Sequence, residues 1–204
     1  MATAPRRTEV AGPAGPIEVA LDEPEGAPVG VAVLCHPHPV HGGTMDNKVV
    51  QTLARAFVQL RYRAVRFNFR GIGASQGQWD EGRGEVDDAM AVVTAFRDAA
   101  LPLALGGFSF GGYVASEVAA RLAAGGTRAR LVLVGPATST FGVAAAAPDT
   151  LVIHGEADDV VPLQATLDWA RPQHLPVIVL PGVGHYFHGQ LTRLRDLVVQ
   201  AWSR

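Results

Sequence analysis

Leu103-Ala104-Leu105-Gly106-Gly107-Phe108-Ser109-Phe110-Gly111-Gly112 runs from an apolar, strand-like segment straight into a helix-forming one, with a single serine at the joint. Residues 107–111 match G-x-S-x-G. A serine at a sharp strand-to-helix turn is forced into a poor region of φ/ψ space, so its neighbours must be small. Gly107 and Gly111 supply that room, and Gly112 adds more. Such a turn exposes the hydroxyl and aims a helix N-terminus at any anion that forms beside it. The motif has a high chance rate among 23 glycines, so its weight comes from where it sits.

Working outward, short apolar runs alternate with helical ones. Ile17–Ala20 and Val29–Cys35 read as strands, the second an almost unbroken apolar run of the kind a sheet covered on both faces requires. Asn47–Leu60 places Val50, Leu53, Phe57 and Leu60 on one helical stripe. Ala64–Asn68 is a strand and Arg70–Gly77 a glycine-rich turn. Gly84–Ala100 reads as a helix with Glu85, Asp87 and Asp88 in its first turn, where carboxylates favour the dipole. Helix Phe110–Ala124 follows strand Leu103–Phe108. Strands Arg130–Val134, Thr150–His154 and Leu175–Leu180 come next, with a helix near Leu163–Ala170. A last helix is expected to carry Phe187, Leu191, Leu194, Val198 and Trp202 together. This alternation implies an α/β fold, a mostly parallel doubly wound sheet flanked by helices, as one unit over residues 1–204.

A serine needs a base, and the base needs an orienting group. In an open parallel sheet both should leave the carboxyl ends of later strands. His154-Gly155-Glu156-Ala157-Asp158-Asp159-Val160 follows one such strand, and Pro181-Gly182-Val183-Gly184-His185 another. The order Ser109, Asp158, His185 is the order acyl hydrolases use on this sheet type. Asp159 and Glu156 compete with Asp158 for the acid role. His188, read at the start of the last helix, competes less well with His185 and suits the pocket rim. The Phe110 N–H should donate to an oxyanion. The second donor should leave the segment Cys35–Gly43. Pro37 and Pro39 have no N–H, so the His38 amide is the favoured partner, with Gly42 or Gly43 as replacements if the loop folds back.

Other readings carry less. His36, His38 and His41 with Asp46 could suggest zinc, but no cysteine pair accompanies them, so no metal is expected. Gly71-x-Gly73 has the wrong spacing for a dinucleotide fingerprint and reads as a tight turn, and no P-loop is present, so no cofactor is expected. Cys35 is the lone cysteine, which excludes an internal disulfide and suits a core thiol. Arg70 and the Glu85–Asp88 cluster read as helix capping and loop anchoring.

The chain of 204 residues is 48% hydrophobic and 18% charged, which excludes a disordered or fibrous protein. A net charge of −2 gives no electrostatic reason to bind nucleic acid or a membrane. Arg6 and Arg7 lack the apolar run of a targeting signal, and no stretch is long enough to span a bilayer. A cytoplasmic protein, monomer or homodimer, acting on a small molecule is the expectation.

In combination, Cys35–Val50, Asn68–Gly77, Gly106–Gly112, His154–Asp158 and Gly184-His185 resemble the small bacterial α/β-hydrolases without a lid, from about Ile17 to the end. The resemblance implies a metal-free, serine carboxylesterase-like activity through Ser109, Asp158 and His185. The family is related to dienelactone hydrolases, from whose cysteine nucleophile Ser109 departs. Lidded relatives insert a helical cap after the strand corresponding to Arg130–Val134. Only Gly135–Pro148 is available here, which implies no cap domain and an open site suited to short-acyl or bulky-alcohol esters. A thioesterase, a small peptidase, or a non-catalytic scaffold with a dormant triad are the alternatives.

Overall fold

The computed structural model describes residues 4–203. Residues 1–3 and 204 of the unit expected over 1–204 lie outside the described residues. The strands are β1 Arg6–Gly12, β2 Gly15–Asp22, β3 Gly30–Cys35, β4 Tyr62–Phe67, β5 Leu103–Phe108, β6 Ala129–Val134, β7 Leu151–Gly155 and β8 Val177–Leu180. They form one eight-stranded sheet in the order β1-β2-β4-β3-β5-β6-β7-β8. β1 and β2 form an antiparallel hairpin, β2 meets β4 antiparallel, and every later pair is parallel. The helices are α1 Lys48–Gln59, α2 Arg83–Phe96, α3 Phe110–Ala124, α4 Leu163–Ala170 and α5 Leu191–Trp202.

Period-two alternation divides the core. Val31, Val33, Leu103, Leu105, Leu131 and Leu133 join α2 and α3 on one face. Ala32, Leu34, Ala104, Phe108, Val132 and Val134 join α1 and α5 on the other. Both faces are buried, which is why the central strands read as unbroken apolar runs. The segment between β6 and β7 forms neither helix nor strand, so no cap stands over the C-terminal ends of the strands.

Four expectations need correcting. A strand at Arg6–Gly12 precedes the expected first one. Its residues are exposed or half-buried, so it presents charge rather than an apolar face, as edge strands do. α2 stops at Phe96, because Arg97 turns to an extended conformation. Phe187 is not on the last helix. It sits in the preceding turn at φ 53°, fully buried against the α1–α5 side of the core. Consequently His188 also precedes α5, which opens at Leu191.

The turn before α2 is built by side chains. Glu85 accepts from the Gly82 N–H at 2.9 Å and the Asp80 N–H at 3.1 Å. Arg70 grips Asp88 through Nε at 2.9 Å and a terminal nitrogen at 2.8 Å. Capping and loop anchoring therefore account for this cluster, and the anchored loop carries Trp79 to the site described next. No helix among the described residues is long and apolar enough to cross a membrane.

Candidate active site

Ser109 lies between β5 and α3 at φ 55° and ψ −120°, a conformation that costs a non-glycine residue about 1–3 kcal/mol. The first turn of α3 presses against the strand ends. A Cβ on Gly107 would strike the Gly111 carbonyl, and one on Gly111 would strike the Cys35 carbonyl. The Ser109 N–H donates to the Val134 carbonyl at 3.0 Å, which ties the strained residue to the neighbouring strand. The hydroxyl faces an open cavity of about 350 Å³, lined also by Pro37, His38, Gly43, Asn47, Val160 and His185.

Asp158 and His185 meet beside it. His185 Nδ1 lies 2.7 Å from Asp158 Oδ2, and both side chains are buried. Asp158 Oδ1 accepts the Val160 N–H at 3.0 Å and the Val161 N–H at 2.7 Å. Burial alone would push this carboxyl up. The bonds from His185, Val161 and Val160 more than offset it and hold the group below its usual range, ionised. His185 thus shares one cavity with Ser109 and one hydrogen bond with Asp158. No hydrogen bond joins Ser109 to His185 among the described residues, a looseness common in unliganded sites.

The competing residues are occupied elsewhere. Glu156 accepts the Gly182 N–H at 2.8 Å, and Asp159 is exposed. His188 is exposed and neighbours the Tyr186 ring, with centroids 5.9 Å apart. The Gly42 and Gly43 N–H groups are spent on the carbonyls of Pro39 and His38. No acceptor within the described residues engages the N–H of Phe110 or of His38.

Of the three histidines, His38 and His41 pair edge to face with ring centroids 4.6 Å apart, and His36 is not part of that pair. His36 is fully buried, accepts the Phe69 N–H on Nε2 at 3.0 Å, and therefore carries its proton on Nδ1, 2.7 Å from the Pro37 carbonyl. Burial pushes its pKa down to about 4 despite that carbonyl. The His38 ring also packs, tilted, against Trp79 and Phe110, with centroids 4.5 Å and 5.2 Å away. Among the described residues no three His, Cys, Asp or Glu are grouped to hold a metal. Cys35 is buried, which pushes its thiol far above the ordinary range and leaves it an unreactive core residue.

Sequence reasoning missed the His36 clamp and also His154, which is fully buried behind Asp158. A histidine closing an apolar strand run was the available signal for both.

A mostly parallel sheet with a strained serine at the β5–α3 elbow and no cap defines a lid-less α/β serine hydrolase. A family model described as serine aminopeptidase, S33 matches residues 38–146. The chain belongs to that family. A Xanthomonas campestris α/β serine hydrolase without lid is 37% identical over 100% of this chain and 96% of its own, at TM-score 0.89. An α/β serine hydrolase homologue from Coxiella burnetii is 38% identical over 98% of each chain, at TM-score 0.84. An uncharacterized protein of Rickettsia prowazekii is 40% identical over 114 residues, 54% of this chain. That match spans 48%, about half, of the Rickettsia protein's length.

Proposed function

We propose that the protein hydrolyses carboxylic esters through an acyl-enzyme on Ser109, with His185 as base and Asp158 as its orienting acid. The observation that carries the reading is the 2.7 Å contact between His185 Nδ1 and a buried, ionised Asp158, on a histidine that shares its cavity with Ser109. Asp158 holds the tautomer in which Nε2 is free to take the serine proton. Ser109 Oγ attacks the carbonyl, and the N–H groups of Phe110 and His38 receive the oxyanion. His185 then protonates the leaving alcohol, and water repeats the sequence to release the acid.

The walls favour a neutral ester with an apolar arm. Val160 at 51% exposure and Tyr186 at 49% line the cavity, and Val40 at 63% sits on the turn between His38 and His41. Two exposed large hydrophobic residues among those described thus line one opening, with Val40 on the adjoining turn, and an apolar patch of this kind marks a binding surface. Each methylene covered there is worth about 0.8 kcal/mol, or roughly fourfold in kcat/KM. An aminopeptidase must pair the substrate's α-ammonium with an anion. No Asp or Glu is among the residues lining the cavity. This argues against that activity, which the family description names.

The test compares p-nitrophenyl esters of increasing acyl length, matched thioesters and aminoacyl p-nitroanilides. Ester turnover rising over the first few methylenes, with the anilides inert, is expected. Preference for the anilides would overturn the ester reading, and preference for thioesters would replace it with the thioesterase alternative.

A further inference from the structure

His154 is the penultimate residue of β7 and is fully buried. Its Nε2 lies 2.9 Å from the Val161 carbonyl, which can only accept, so Nε2 carries the proton. The same nitrogen is 3.4 Å from Asp158 Oδ2, the oxygen that receives His185. Its Nδ1 has no partner among the described residues. A leucine here would avoid stranding a buried nitrogen, so the histidine's gain must come from what Nε2 does.

One connection follows from that N–H. It holds the Val161 carbonyl, while the N–H of the same Val161 holds Asp158 Oδ1 at 2.7 Å, so the residue that anchors the acid is itself anchored by His154. The approach to Oδ2 is a contact, and the hydrogen bond stays with the Val161 carbonyl. Burial pushes the imidazole's pKa down, consistent with a neutral ring whose single proton is committed to Nε2.

We propose that His154 is a positioning residue for Asp158: its Nε2–H fixes Val161, whose own N–H holds the carboxylate, and so sets the orientation of His185 without touching substrate. This inference rests on the Ser109–His185–Asp158 reading. Its atomic content is specific, because glutamine places an amide nitrogen near the position of imidazole Nε2, whereas asparagine places one near Nδ1.

The experiment compares His154→Gln, His154→Asn and His154→Leu, with kcat referred to active sites titrated by a fluorophosphonate. Leu and Asn should lower kcat per labelled site by about 2- to 10-fold, the range of a lost neutral hydrogen bond, with KM unchanged. Gln should recover most of the loss. Equal kcat per labelled site in all variants, or equal loss in Leu and Gln, overturns the proposal in favour of simple core filling. The downfield proton resonance of the His185–Asp158 hydrogen bond reads the same geometry without turnover. It should shift or broaden in Leu and Asn and persist in Gln. If the wild-type protein neither labels nor turns over esters, the hydrolase reading fails, and this resonance still decides whether His154 positions Asp158.

Discussion

The two segments that border Ser109 are held in opposite ways. The one after β3, residues 36–43, contributes to the candidate site through its backbone: its shape comes from prolines, carbonyl-bound N–H groups and a short 3-10 turn, on which His38 Nδ1 adds one long cap by accepting the Val40 N–H at 3.3 Å. The one after β7, residues 156–161, contributes through a side chain, since the Asp158 carboxyl organises its own turn while receiving His185. A site element made of backbone tolerates replacement of its side chains and fails when an N–H is lost. One made of a carboxylate fails as soon as that group is changed.

The largest expected effect is on the side-chain segment. Asp158→Asn should lower kcat roughly 10⁴-fold on the best p-nitrophenyl ester, because an amide stabilises the wrong imidazole tautomer. A small loss would mean that the turn, rather than the charge, orients His185. Next comes the backbone segment. His38 sits at φ −50°, which proline can adopt, and its N–H has no acceptor among the described residues. His38→Pro should therefore cost about 10²–10³ in kcat, the range for one oxyanion donor, while His38→Ala retains most of the activity. Equal losses in the two would show that the ring, not the amide, matters.

The smallest effect is on stability. His36 has a folded pKa of about 4 against 6.5 unfolded, so the unfolded chain binds more protons between those values. Its contribution is present in full above pH 6.5 and fades as pH falls toward 4, by about 3 kcal/mol in all. His36→Leu should be less stable than wild type at pH 7, because the Phe69 N–H and Pro37 carbonyl lose their partner. Its urea midpoint should also fall less steeply between pH 7 and pH 4.5. Parallel pH profiles for the two proteins would contradict this assignment.

The same division governs what could be read from the sequence. The parallel sheet was legible because both its faces are buried, so Val31–Cys35 and Leu103–Phe108 announce themselves as apolar runs. The elbow at Ser109 was legible because close approach admits only glycine at 107 and 111. Phe187 was misread because its spacing from Leu191 and Leu194 imitates a helical stripe, and only tertiary packing sets its positive φ. β1 was missed because Arg6, Arg7 and Glu9 give an edge strand no apolar face. His36 and His154 act through hydrogen bonds to residues 33 and 7 positions away, a relation that sequence spacing does not carry.

The most direct measurement of the central claim is fluorophosphonate labelling of the purified protein, read by intact mass and peptide mapping, alongside His185→Ala. A single adduct on Ser109 is expected in the wild type, and its loss in His185→Ala. An unlabelled wild type, or an adduct that forms equally fast without His185, would contradict the assignment of Ser109 as nucleophile and His185 as its base.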